Sequence, residues 1–205
     1  MTPTVSFKDV LSIVVTRLGE VGFRRKGSSF YLREGSNWGI VNFQKSGKSS
    51  ADVILFTVNV GTASGALLNF SGLRASEVPR IDQCHWRKRL GFFFSDPSDT
   101  WWRIDTMTSP SAVGEEIVDA LLKLALPEMK TYMSDASLME LWTSGDSPGL
   151  TDVERLRYLS VLLKLKGSVD ALNNAKDRLQ RMSEGRPSAS AVASHLRRLD
   201  NMHDA

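Results

Sequence analysis

The sequence predicts an α+β fold: an N-terminal helix packed on an antiparallel sheet of about five strands, followed by an all-helical C-terminal part. Three observations predict it. Apolar residues recur at helical spacing near the N-terminus, switch to a period of two between about residues 28 and 107, and return to helical spacing after Ser109-Pro110. The links between candidate strands are short and turn-like, which makes a meander. Charge divides with the pattern, since residues 1–110 carry 14 Lys or Arg against 9 Asp or Glu while residues 111–205 carry 12 against 14. Two units follow, a sheet domain over 1–110 and a helical region over 111–205 docked on it.

Each element has its own signal. From Ser6, a candidate N-cap, the residues Phe7, Val10, Leu11, Val14 and Leu18 form one helical stripe that Gly19 and Gly22 break. Strands follow over about 28–34, 38–46 and 52–61, separated by Glu34-Gly35-Ser36-Asn37 and Ser46-Gly47-Lys48-Ser49-Ser50. After a Gly-, Ser- and Ala-rich stretch from Thr62 to Pro79, two more strands are expected over 85–94 and 100–107 around the turn 95–99. Ile117, Leu121 and Leu124 begin a helix that Pro127 kinks or ends. Ser137 with Glu140, Thr151 with Glu154, and Ser168 then mark helix starts, and Gly145 and Gly167 mark stops. A last helix carries Val192, Leu196, Leu199 and Met202 on one stripe.

Composition narrows the functional classes. With 41% hydrophobic residues in 205, the chain has material for a core without staples. Its one cysteine, Cys84, excludes an intramolecular disulfide and any multi-cysteine metal site. No signal peptide and no span of about 20 apolar residues is legible, so a cytoplasmic protein with no membrane association is expected. A net charge of +3 is weak for a nucleic-acid protein.

Several chemical motifs fail on their surroundings. Ser46-Gly47-Lys48-Ser49 resembles the end of a phosphate-binding loop, but Asn42 stands at the first glycine position and a strand follows, so it is a hairpin turn. His85, His195 and His203 lie in separate elements without ligand spacing, and His195 is expected half-exposed on its helix. Cys84 and His85 would point to opposite faces of a strand, and no Gly-x-Ser-x-Gly elbow occurs. No metal, cofactor or catalytic set is expected.

Two features remain. Alternation puts Val41, Phe43, Ile54, Phe56, Val58 and Val60 on one face of the central strands and Asn42, Gln44, Thr57 and Asn59 on the other, with Val53 and Leu55. Asparagine is a poor strand former, so these amides serve either a ligand or a bulge or buried edge. The second feature is basic: Arg24, Arg25 and Lys26 in GFRRKGSSFYL, and Arg87 with Arg89 in HWRKRLG, which alternation turns to the face opposite Trp86 and Lys88. A guanidinium pair suits a carboxylate or phosphate. Against that, base rates favour arginines that protect a strand edge or pair with acids such as Asp82 and Asp105. The tryptophans, including Trp101 and Trp102, are read as core anchors.

The ordered set GFRRKGSSFYL, WGIVNFQKS, FTVNVG, HWRKRLG and WWRID resembles a bacterial family described as domain of unknown function 4304, over residues of about 7–125. The resemblance implies a small α+β fold and an immunity or binding role, with a toxin as partner, and carries over no catalytic residue. Three functions are therefore weighed. A non-enzymatic protein-binding module, in its finer form an immunity protein neutralising a bacterial toxin, needs no catalytic set. A binder of an anionic ligand or nucleic acid would use Arg24, Arg25, Lys26, Arg87 and Arg89. An enzyme would show a deep pocket joining Asn42, Gln44 and Asn59 to a titratable group such as His85 or Asp105.

Overall fold

The structure, a computed structural model of the chain, describes residues 2–202, so His203 lies outside the described residues. Helix α1 (Pro3–Glu20) is followed by β1 (Arg24–Lys26), β2 (Ser29–Glu34), β3 (Asn37–Lys45) and β4 (Ile54–Ala63). A short helix α2 (Gly65–Phe70) and a long loop lead to β5 (Trp86–Arg89) and β6 (Trp102–Ile104). The helical part comprises α3 (Pro110–Ala120), α4 (Leu126–Tyr132), α5 (Asp135–Ser144), α6 (Asp152–Lys166), α7 (Val169–Ser183) and α8 (Ala189–Asp200). An N-terminal helix, an antiparallel sheet and a mostly helical remainder are the predicted architecture.

The sheet has the order β1-β2-β3-β4-β5, with β6 also on β4. Its extra strand is the opening basic cluster: Arg24 pairs with Tyr31 and Lys26 with Ser29 in a hairpin that turns at Gly27, which has φ +63°. The last two strands do not form the expected hairpin. β5 pairs with Asn59–Thr62 of β4 and β6 with Ile54–Phe56, so both run along the same edge and are one edge strand interrupted by residues 90–101. That excursion opens with a 3₁₀ turn over Leu90–Phe93, where a longer strand is expected.

Helix α1 begins one turn before Ser6, at Pro3, because proline's fixed φ and missing N–H suit a first turn. Ser6 is thereby inside the helix and buried. Further on, Pro127 does not end its helix: a wide π turn over Leu121–Ala125 joins α3 to α4 and absorbs the hydrogen bond that proline cannot make. The cap of α5 is Ser134 rather than Ser137, its hydroxyl accepting from Ser137 N. Thr151 and Glu154 form the expected capping box, Ser168 caps α7, and Gly145 closes α5 at φ +100°.

One face of the sheet packs under α1, α3 and α4. Phe56 stacks on Phe43 and Trp102 with centroids 5.9 Å apart and meets Phe7 of α1 edge-on at 5.0 Å. Gly39 lets α4 close on the same face, since a Cβ there would lie 2.8 Å from Met129 Cε. The core continues without a break into the C-terminal helices, through Trp142, Leu156, Leu162, Leu179, Val192 and Leu199. The second face is covered only in part: Trp38, Ile40 and Ala63 form a small core with Leu68 and Cys84, and Trp38 Nε1 donates to Ala75 O at 2.9 Å.

Two histidines are core residues. Ser64 N donates to His85 Nδ1 at 3.0 Å, so the ring is neutral with its proton on Nε2, and burial followed by the Arg87 charge takes its pKa down to about 3. His195 is 4% exposed rather than half-exposed, because α8 turns it inward to Ser160 Oγ at 2.9 Å. Burial, then Arg157 and Arg198, takes its pKa down to about 4.

Two predictions follow from this packing. Phe56→Ala removes the ring that joins sheet to α1 and lowers unfolding free energy by about 3–5 kcal/mol in urea titration, and a loss below about 1 kcal/mol would contradict the packing described. Both histidines are neutral when folded and protonate near pH 6.5 when unfolded, so their contribution is complete above that pH and falls as pH drops towards 4. Unfolding free energy from urea titrations declines as pH falls from about 7 to 5, with a slope that steepens towards about 1.4 kcal/mol per pH unit for each histidine below about pH 6, whereas a flat series refutes their burial.

Candidate binding groove

The register of β3 on β4 sets the chemistry of the open face. Val41 lies opposite Val60 and Phe43 opposite Val58 on the helix-covered side, which leaves Asn42 opposite Asn59 and Gln44 opposite Thr57 on the other. Extending the pairing gives one polar row across five strands, Lys26–Ser29–Asn42–Asn59–Arg89. Four strand spacings of about 4.8 Å make that row roughly 19 Å long. The next row is Arg24–Tyr31–Ile40–Gly61–Arg87.

The amides pair with one another across the strands. Asn42 Nδ2 donates to Ser29 Oγ at 2.8 Å, and Asn59 Nδ2 donates to Gln44 Oε1 at 3.0 Å and to Asn42 Oδ1 at 3.5 Å. Asn59 Oδ1 and the Gln44 amide nitrogen have no partner among the described residues, so the chain of amides presents one acceptor and one donor to the outside. No bulge requires them, for the β3–β4 pairing runs unbroken from Trp38 to Lys45. Thr57 alone is taken inward, donating to Thr100 O at 2.9 Å and holding the 90–101 excursion to the sheet.

That excursion makes the amide face concave. Phe92, Pro97 and Asp99 form one wall, Ile81 and Asp82 with Pro148 and Gly149 the other, and Gln44, Asn59, Arg87, Lys88 and Arg89 lie between them around about 800 Å³. The second wall depends on one glycine. Gly149 has φ +76°, and a Cβ there would stand 2.7 Å from Arg87 O. Close approach lets Arg87 N donate to Pro148 O at 3.2 Å and Arg87 Nη2 to Gly149 O at 2.7 Å, so the α5–α6 link closes the exposed edge of β5.

Electrostatically the groove is mild. Arg89 Nη1 pairs with Asp99, whose carboxyl also accepts from Trp101 Nε1 at 3.3 Å, and the Arg89 hydrogen bond holds Asp99 below the usual carboxylate range. The guanidinium rests 5.3 Å from the Trp101 ring centroid. Asp82 is likewise held low by its hydrogen bonds from Arg80, at 2.6 and 2.9 Å. Arg87 spends its N–H groups on main-chain oxygens, Asp82 O at 3.3 Å and Gly149 O, and has no carboxylate partner among the described residues.

The structure thus brings Gln44, Asn59, Arg87 and Arg89 together, with Asn42 beside Asn59 as its cross-strand neighbour. Arg24 and Lys26 share that face at its far edge and do not line the groove. Arg25 alternates to the opposite face, where its Nε donates to Gly27 O at 2.7 Å and its guanidinium sits 5.9 Å from the Phe30 ring. Of the expected ion-pair acids, Asp82 and Asp105 bind Arg80 and Arg103, and the partner of Arg89 is Asp99. Trp101 is exposed beside Arg89 rather than buried, unlike Trp38, Trp86, Trp102 and Trp142. The walls at Phe92, Asp99 and Pro148-Gly149 had little signal in sequence. Only the apolar run Phe92-Phe93-Phe94 hinted at them, being too long for one face of a strand.

Neither titratable group expected of an enzyme reaches the groove. His85 is buried against Tyr158 at 4.8 Å, Asp105 is tied to Thr108 and Arg103, and burial pushes the Cys84 thiol up to about 12. Among the described residues no group of three His, Cys, Asp or Glu stands together as metal ligands would, and no helix is long and apolar enough to cross a membrane.

No curated protein and no solved structure matches the chain. One family model does, over residues 14–131, which take in the C-terminal end of α1, the whole sheet and the groove floor, and stop short of α5 through α8. On a match covering more than half its length, the chain belongs to the family described as Domain of unknown function (DUF4304).

Proposed function

We propose that the protein is a non-enzymatic protein-binding module and that the amide groove is its contact surface. The observation that carries this reading is the company its free groups keep. Exposed Phe92 and Trp101 stand beside half-buried Arg87 and Arg89, and these aromatic and arginine types anchor protein interfaces. Beneath them, the free donor of Gln44 and acceptor of Asn59 match the carbonyl and N–H of a peptide segment. The groups that would do chemistry are buried or held in ion pairs. A nucleic-acid partner is favoured less, because Asp99 and Asp82 neutralise two of the cations around the groove.

In its finer form the reading makes the partner a bacterial toxin and the chain its immunity protein, as the resemblance implied. A lone buried thiol fits action in a reducing cytoplasm. The test is affinity capture from a bacterial lysate with nuclease present, using the wild type, Phe92→Ala and Trp101→Ala, followed by toxicity assays of the captured protein. A stoichiometric protein should be retained by the wild type, and the two variants should lose roughly 30-fold or more in affinity for it, with thermal midpoints unchanged. Capture that ends with nuclease, or a partner indifferent to both substitutions, would reject the groove as a protein-binding surface.

A further inference from the structure

A second cavity, of about 210 Å³, lies where the end of α2 meets α6 and α8. It is lined by Phe70, Ser71, Arg157, Tyr158, His195 and Arg198, with no acidic residue among them. The family match covers Phe70 and Ser71 only, so the four titratable groups belong to the helical extension.

Its cations are unpaired. Neither Arg157 nor Arg198 has a carboxylate partner among the described residues, and Arg157 Nε is buried without any hydrogen-bond acceptor. A buried donor left unpaired destabilises the site, so the site favours an acceptor arriving from outside. Arg198 is aimed by two contacts: its guanidinium lies 4.6 Å from the Phe70 ring centroid and donates to Phe70 O, with other N–H groups left over. Ser160 spends its hydroxyl proton on Arg157 O at 2.8 Å, so His195 Nε2 donates to Ser160 Oγ. The one nearby acid that acts on Tyr158, Glu154, is engaged with Thr151 at 2.8 Å in the cap of α6.

We propose that this cavity is an anion site that takes the phosphate group of a small ligand between Arg157 and Arg198. Two guanidinium forks match the oxygens of a phosphate, and the rings of Phe70 and Tyr158 leave room for a small organic body. The volume falls below that of sites for drug-sized molecules, which sets an upper limit on the ligand. Because the walls come from α2, α6 and α8, occupancy bridges the sheet domain and the helical extension. The site is separate from the groove and stands or falls without it.

The test is titration of the full chain with inorganic phosphate against chloride at equal ionic strength, reading the thermal midpoint and the His195 ring resonances. Saturable stabilisation by phosphate, with the His195 ring signals moving in step, is expected. Arg198→Gln and Arg157→Gln should each weaken the effect at least about tenfold, measured as the shift from each variant's own unliganded midpoint. The proposal is overturned by equal effects of phosphate and chloride, or by phosphate stabilisation that persists in both variants.

Discussion

The antiparallel register of β3 on β4 is the constraint on which the rest depends. It stacks Val41, Phe43, Phe56, Val58 and Val60 beneath α1 and, because strand side chains alternate, forces Asn42, Gln44 and Asn59 to the other side. A slip of β3 by one residue would bury Asn42 and Gln44 and expose Val41 and Phe43. No tolerable alternative pairing therefore competes with it. The same register places Arg87 and Arg89 next to Gly61 and Asn59, so the basic edge and the amide row are parts of one geometry.

The open face exists because the covering segment runs out. Along β3 the outward residues change from Trp38 and Ile40, which the 64–85 segment covers, to Asn42 and Gln44, which it does not. At that boundary the edge strand breaks between β5 and β6, and residues 90–101 rise to form a wall. A polar patch becomes a groove through one interruption in an edge strand, with the α5–α6 link supplying the opposite side.

How much of this was legible in the sequence follows from the range of the forces involved. Face parity, the capping box of α6 and the helical stripes were legible because each depends on residues a few positions apart. The broken edge was not, since a run such as 85–94 reads as one strand until its partner is known to end. Nor was the inward turn of His195, which depends on Ser160, 35 residues away, nor the fit of Gly149 against Arg87. Charge groups Arg25 with its neighbours, yet it lies on the other face because the cluster is a strand.

The most direct test of the central claim is hydrogen exchange of the backbone, read by mass spectrometry, on the chain alone and bound to its captured partner. Binding at the groove predicts added protection in β3 and β4 around residues 42–44 and 57–59, in β5, and in the 90–101 excursion, with α1 and α7 unchanged. Protection confined to the helices, with those segments exchanging as in the free chain, would contradict it.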